Sequence, residues 1–351
     1  MNSKTKNLPY FKTKNSKEEK ETFKFLMRKF KPSLKKILPQ HYLIQPIPFK
    51  NLEYIQKNAK THPYFLRFDI QTYFPTINHE ILLKNLVKTH KRISKKETSR
   101  RFKIHMKNTI PKFLAKTPYK TGVSIGSPLS YALAGIFLLE VDLEITRPFL
   151  RHVDDYIVFF KKRNEPKEFL EKTILPKLEE LNLEINTKKL KSGKFNVDSI
   201  DFIGFEYYSG YFRIKEEKKD CFKKKIVNLT KLTRKKTQQQ ILKEINNKIL
   251  GFGHYYKHCS CKKDFEKLDS FIRMRVRRYF SRNKDSKNKE GNLKITNEVL
   301  KNNGLKSLLS LKEEYDIKKG HIFSKKGKIP LKNGTEQKEK SKKIIYYCLG
   351  I

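Results

Sequence analysis

Residues 149–160 read Phe-Leu-Arg-His-Val-Asp-Asp-Tyr-Ile-Val-Phe-Phe, two apolar runs broken by a pair of adjacent acids. Runs of this length and composition are strands, and a short polar interruption between them is the tip of a β-hairpin. The chain must therefore hold Asp154 and Asp155 together at one end of paired strands, where like charges repel. A bound divalent cation removes that cost.

A second segment, residues 64–79, has the same grammar with one acid. Tyr64-Phe65-Leu66-Arg67-Phe68 leads into Asp69, and then a turn and a helix that Asn78 can cap. An acid at a strand end reaches a site beyond the sheet edge. Two-metal phosphoryl or nucleotidyl transfer needs oxygen ligands on a rigid support, so that attacking and leaving oxygens are both clamped. Asp69 with Asp154 and Asp155 could supply that set, although Asp-Asp pairs are also ordinary residues of solvated turns. A third segment, Thr121-Gly122-Val123-Ser124-Ile125-Gly126-Ser127-Pro128-Leu129-Ser130, precedes an apolar run at 132–141. Its small residues let backbone approach a ligand, and Ser130 is the expected cap of the next helix. Taken alone, such a loop is most often a plain connection.

Charge narrows the partner. The 351 residues carry 80 Lys+Arg against 36 Asp+Glu, a formal net charge of +44 and a pI near 10.0. Self-repulsion on this scale calls for a polyanion, and nucleic acid is the obvious one, which argues against an ordinary metabolic enzyme. Hydrophobic residues at 37% still provide a core for one large domain or two to three small ones. Four cysteines are too few for a disulfide framework, and no secretory segment opens the sequence, so a cytoplasmic protein with reduced thiols is expected. The most apolar stretch, 131–141, is too short to span a bilayer, and no membrane partner is expected.

Four segments are expected. Residues 1–60 form a basic N-terminal part, with twelve Lys/Arg against three Glu in the first 36 and Phe23, Leu26, Met27 and Phe30 at helical spacing. Residues 61–214 carry the strands, turns and clustered acids. Residues 215–282 read as basic helices, where Phe265, Leu268, Ile272, Val276 and Tyr279 form one stripe and Lys267, Arg273, Arg275, Arg277 and Arg278 lie opposite. Residues 283–351 form a basic extension with turns at Asn303-Gly304 and Asn333-Gly334. His254, His258, Cys259 and Cys261 invite a zinc reading, but one residue between the cysteines is poor spacing for a structural site, and packing or RNA contact is the favoured role.

Taken in order, these segments resemble the palm of a reverse transcriptase. Asp69 with Tyr73-Phe74 and Ile77-Asn78-His79 resembles motif A, residues 122–142 motif B, and His152-Val153-Asp154-Asp155 motif C. Leu183-Glu184-Ile185-Asn186-Thr187-Lys188-Lys189 resembles motif D, and Phe202-Ile203-Gly204-Phe205 motif E. Leu250-Gly251-Phe252-Gly253-His254-Tyr255-Tyr256 and residues 265–280 are similar to the helical thumb of group II intron-type enzymes. The Ile125-Gly126 pair with Ser130 resembles the motif B of defence-associated, abortive-infection and diversity-generating retroelement enzymes. Motif C begins with His152 where the family usually has Tyr or Phe. Of the basic finger strands that usually precede motif A, only Gln45 to Lys50 and Arg67 offer candidates.

The resemblance implies an α+β right-hand polymerase fold with an antiparallel-sheet palm, reduced fingers and a helical basic thumb. It implies an RNA-directed DNA polymerase in which Asp69, Asp154 and Asp155, with the Ile70 main chain, bind two Mg²⁺ ions, with Mn²⁺ as a substitute. Lys189 would serve the leaving pyrophosphate. Arg67, Ile70, Phe74, Ile125 and Gly126 would line the deoxynucleotide site, with Phe74 excluding a 2′-hydroxyl. Lys267, Arg273, Arg277 and Arg278 would contact nucleic acid. Partners implied are a structured RNA template, the DNA product and dNTPs, with room for a second polymerase or an effector protein. Three biological settings stay open: bacterial antiphage defence with a structured non-coding RNA, a diversity-generating retroelement, and a maturase-like RNA-binding scaffold.

Overall fold

The computed structural model describes residues 16–38, 48–93, 99–117, 119–231, 236–281 and 295–319. Residues 45–47 of the finger candidates, the turn at Asn333-Gly334, Cys348 and most of the basic extension lie outside the described residues. The chain divides into two compact units, residues 1–203 and 204–351, so that the division falls inside the motif E segment. Helices combine with antiparallel strands throughout, an α+β architecture.

The first unit is built on a four-stranded sheet of β1 (Tyr64–Asp69), β2 (Phe149–His152), β3 (Asp155–Phe160) and β4 (Lys191–Lys194), in the order β2-β3-β1-β4. Every pairing is antiparallel. The apolar runs are continuous rather than alternating because both faces of the central strands are covered. Leu66, Phe68, Tyr156, Val158 and Phe160 enter the main core, where Phe68 and Tyr156, opposite each other in register, stack at 4.6 Å. On the other face Phe65 and Phe159 pack on Phe195 at 5.0 and 5.4 Å, and Tyr54 meets Phe159 at 6.0 Å. Each such ring contributes about 1.5–3 kcal/mol by leaving water, so the sheet that carries the acids is a rigid base.

Helices close the main core. α1 (Lys17–Ile37) starts at Ser16, whose hydroxyl accepts the Glu19 N–H, and turns Phe25, Leu26, Phe30 and Leu34 inward. Phe23 and Met27, expected in that stripe, are only half-buried. Tyr54 belongs to α2 (Pro48–Thr61), and among the described residues no strand precedes β1. α3 (Tyr73–Thr76) is a single turn, and α4 (His79–Ile93) starts where expected, with the Asn78 side chain accepting the Ile81 N–H at 3.1 Å. α5 (Arg100–Ile104) and α6 (Ile110–Leu114) flank a π turn. α7 (Pro128–Phe137) is buried along nearly its whole length and is followed, after Leu138, by α8 (Leu139–Glu144). The expected cap of α7 needs correcting. Ser127 is the N-cap and accepts the Leu129 N–H, because Pro128 occupies the first helical position, which needs no donor. Ser130 lies inside the helix and donates its hydroxyl to the Ser124 carbonyl. α9 (Glu165–Phe169) and α10 (Leu175–Glu180) complete the unit's helices, and the short β5 (Ile200–Phe202) ends it. Among the described residues no helix is long and apolar enough to cross a membrane.

The second unit opens with a hairpin of β6 (Phe205–Tyr208) and β7 (Tyr211–Ile214). Three helices follow: α11 (Glu216–Leu229), α12 (Gln238–Tyr256) and α13 (Lys262–Phe280). Thr237 and Gln240 cap α12 reciprocally. The stripe of Phe265, Leu268, Ile272, Val276 and Tyr279 on α13 is buried as its spacing predicts. Asp269, also buried on α13, accepts the Leu308 and Leu309 N–H groups at 2.9 and 3.0 Å, anchoring the helix Leu308–Lys318.

Candidate active site

The site is built where β1 ends beside the β2–β3 hairpin. Asp69, the last residue of β1, stands opposite Asp155, the first of β3. Asp154 occupies the hairpin tip beside Val153, whose φ of 62° puts a β-branched residue in the left-handed region. The end of β1 is gripped from both sides. The Ile70 N–H donates to the Asp154 carbonyl at 3.3 Å, while the Gln71 N–H donates to Glu184 and the Asp69 carbonyl accepts from Asn186, both at 2.8 Å. The sequence-predicted acids, Ile70 and the motif D segment are therefore brought together by main-chain bonds.

Two cations answer the three carboxylates. Lys189 Nζ lies 2.9 Å from Asp69 Oδ2. Arg67, two residues before Asp69, takes both oxygens of Asp155, Nε to Oδ1 and Nη2 to Oδ2, each at 3.1 Å. Burial pushes the Asp154 carboxyl up to about 7, and the neighbouring Asp69 charge adds to the shift. Burial likewise pushes Asp155 up to about 6, against the lowering effect of Arg67. His152 stays neutral because burial, helped by the Arg151 charge, depresses it to about 4.

Among the described residues no set of three His, Cys, Asp or Glu side chains stands arranged to hold a metal ion. Arg67 occupies both oxygens of Asp155. The donor chemistry of the other two acids nevertheless fits a divalent cation. Asp69 and Asp154 carry hard oxygen donors on rigid backbone, and the charge of one raises the proton affinity of the other.

The nucleotide-site candidates converge less completely. Phe74, on α3, is half-buried and packs edge-on against Tyr73 at 5.7 Å and Tyr131 of α7 at 5.5 Å. Its carbonyl accepts the Val123 N–H at 3.0 Å, and Gly122 N–H donates to Ile77 at 2.8 Å, so motif A and the glycine loop are stitched together. Gly122 sits at φ 85°, where a Cβ would stand 3.0 Å from the Pro75 carbonyl oxygen. Gly126, at φ 90°, and Ile125 are half-buried in the same loop. His79, in the motif A resemblance but without a role assigned from sequence, acts on the glycine loop. Its Nε2 hydrogen-bonds the Gly122 carbonyl at 2.7 Å and braces the loop.

In the second unit the basic face of α13 is partly spent on its own chain. Arg275 donates to Thr230 Oγ1 at 3.0 Å, and Arg277 to the Ile295 carbonyl at 2.6 Å and Asn297 Oδ1 at 2.7 Å. Lys267 is exposed, and Arg273 and Arg278 are half-buried. The Cys259 and Cys261 thiols both donate to the Tyr256 carbonyl, at 3.0 and 3.3 Å, and serve packing.

A sheet strand ending in an acid thus stands beside a two-acid hairpin tip, with a glycine loop and a buried helix alongside. The model of the family "Reverse transcriptase (RNA-dependent DNA polymerase)" matches residues 11–207, more than half of the chain, and the protein belongs to that family. The model "Group II intron, maturase-specific domain" matches residues 219–295. Among solved structures, the chain is similar to apo telomerase from Candida tropicalis at 14% identity, with TM-score 0.44 and coverage of 81% of this chain and 51% of that one. It is similar to telomerase from Candida albicans in complex with a TWJ fragment of telomeric RNA at 12% identity, with TM-score 0.43 and coverage of 95% and 57%. The chain thus spans about half the length of these telomerases. No curated protein matches it.

Proposed function

We propose that this protein is an RNA-directed DNA polymerase with a right-hand fold, in which residues 61–214 act as fingers and palm and residues 215–282 as thumb. The observation that carries the reading is the register of Asp69 against the Asp154-Asp155 hairpin in a member of the reverse transcriptase family. Asp69 and Asp154, with the Ile70 main chain, would hold Mg²⁺, which supplies a sharpened nucleophile and charge neutralisation at the leaving group. Lys189, on the Asp69 side, is placed to offer a proton or a positive charge to a departing phosphate. Phe74, backed by Tyr131, sets the floor against which a sugar would rest, and the Gly126 loop lets a base pair approach backbone. The +44 charge supports a structured RNA as template and partner, with dNTPs as substrate and DNA as product.

Motif B, with Ile125-Gly126 and Ser130, supports a place among defence-associated enzymes working with their own non-coding RNA in the bacterial cytoplasm. The diversity-generating retroelement reading shares that motif. The test is synthesis: protein purified with its copurifying RNA, given dNTPs and Mg²⁺, should yield DNA whose sequence is complementary to that RNA. An unchanged product from the Asp69→Ala variant would leave only the RNA-binding scaffold.

A further inference from the structure

Behind the hairpin tip lies a buried ionic cluster that the acids themselves do not explain. Arg151, on β2, is 1% exposed, and Asp142, at the end of the motif B segment, is fully buried. Arg151 Nη2 donates to Asp142 Oδ2 at 2.5 Å and to the Gly135 carbonyl of α7 at 3.1 Å. The Tyr156 hydroxyl donates to Asp142 Oδ1 at 2.9 Å, and the guanidinium also lies over the Tyr156 ring at 5.6 Å. Arg151 Nη1 reaches forward and donates to the carbonyl of Val153 at 2.9 Å.

That last bond matters because of where Val153 stands. It is the left-handed residue of the tip, and the next carbonyl, that of Asp154, is the one held by the Ile70 N–H. Two successive carbonyls of the turn are thus each held by a donor from a different place, one from the buried guanidinium and one from the end of β1. A β-branched residue at positive φ persists only where its surroundings over-determine it. A buried ion pair adds little net stability compared with apolar residues of the same volume, so its retention in this position needs another account.

We propose that Arg151, anchored by Asp142, is a positioning residue that fixes the Val153 turn and thereby the placement of the Asp154 carboxylate relative to Asp69. The planar fork is what the task requires: one arm is held by Asp142 and Gly135 while the other holds the turn, which a single ammonium cannot do. The consequence for synthesis rests on the polymerase reading above; the consequence for the turn does not.

The test uses the full chain and two variants. Arg151→Lys keeps the charge opposite Asp142 but loses the fork. The triple variant Asp142→Leu/Arg151→Met/Tyr156→Phe removes both buried charges together with the hydroxyl that donates to Asp142, so that it folds with a thermal midpoint close to that of the parent. In metal-free protein, the Ile70 amide should lose hydrogen-exchange protection in both variants while the β1 amides at 64–68 keep theirs. With RNA, dNTPs and Mg²⁺, kcat should fall about 10- to 100-fold with the dNTP KM unchanged, the scale expected of a small displacement at a reacting centre. Parental Ile70 protection with parental kcat in either variant overturns the assignment. A loss of protection spread evenly along β1 also overturns it, because the pair would then act on the fold alone. If the parent protein makes no DNA, the polymerase reading fails, and exchange at Ile70 still decides the role of Arg151.

Discussion

Arg67 takes both carboxylate oxygens of Asp155 in a bidentate pair, each contact 3.1 Å, with both side chains 14% exposed. The two adjacent acids of the hairpin are therefore in different chemical states. Burial destabilises the charge of both, but for Asp154 the Asp69 charge adds to that cost, while for Asp155 the Arg67 guanidinium offsets part of it. Asp154→Asn should lower DNA synthesis about 10²–10³-fold, the loss that follows removal of a group aimed at developing charge. Asp155→Asn should lower it only about tenfold, through a loosened Arg67. The order reverses for stability. Asp155→Asn should destabilise by about 1–3 kcal/mol, because the nearly buried guanidinium is left without its counter-ion. Primer extension and urea midpoints on the same two variants check both orders.

The raised carboxyls make metal-free stability pH-dependent. An acid whose folded pKa lies above its ordinary value of 3.8 binds protons more tightly folded than unfolded. Its contribution is therefore fully present below pH 3.8 and is lost as the pH rises through about 6 for Asp155 and about 7 for Asp154. In EDTA, the stability of the parent relative to Asp154→Asn should fall between about pH 4 and 7. Mg²⁺ should remove most of that slope by replacing the proton as the balancing charge. Urea midpoints with and without Mg²⁺ measure it, and a difference that rises with pH in EDTA would contradict the burial of Asp154.

The acids and their partners differ in how far the sequence reveals them. The hairpin was legible because two apolar runs and a two-acid break have few other solutions, and the register that puts Asp69 beside Asp155 follows once those strands pair. The buried stripe of α13 is legible from its period, five apolar residues at four successive steps of three or four. Arg67 and Arg151 show what was not legible. Each sits singly inside an apolar strand, where its partner, Asp155 or Asp142, is set by tertiary register rather than by local spacing. Ser127 rather than Ser130 caps α7 because a proline one residue after Ser127 decides the helix start, and that signal outweighs the choice among three serines. The α13 arginines form one face by spacing alone, but Arg275 and Arg277 turn to Thr230 and to the segment 295–297, which is distant in sequence.

Phe74 gives an expectation about substrate choice. Its ring is fixed edge-on to Tyr131, so its position is set by packing rather than by a free rotamer. Removing the ring leaves a gap on the α7 side and opens the space a 2′-hydroxyl would need. Phe74→Ala should therefore raise the ratio of ribonucleotide to deoxynucleotide incorporation by one to two orders of magnitude, roughly the 1–3 kcal/mol that a steric pocket provides. The thermal midpoint should fall as well, since a half-buried ring is lost. Single-nucleotide incorporation with rNTP and dNTP in competition reads the ratio, and an unchanged ratio would return Phe74 to a purely structural role.

His258 should govern the acid limb of the second unit. Burial, followed by the charges of Lys257, Lys319, Lys312 and His254, lowers its pKa to about 3 from the ordinary 6.5. The ring packs edge-on against Tyr315 at 4.7 Å, so a proton would have to be accommodated among cations. A base with a depressed folded pKa takes up its proton in the unfolded chain first, so its contribution is present above pH 6.5 and is lost as the pH falls toward 3. The slope is opposite in sign to that of the hairpin acids, and the two overlap between pH 4 and 6.5, so each is read as a difference between parent and variant. His258→Gln should destabilise the protein at pH 7.5 through lost packing, and the gap to the parent should narrow as the pH falls to 5. Urea midpoints across that range, followed by a probe in residues 204–319, measure the gap. A gap that widens with acid would mean that His258 is protonated in the folded protein, and that the lysines around it are balanced by more negative charge than Glu314 and Asp316 provide.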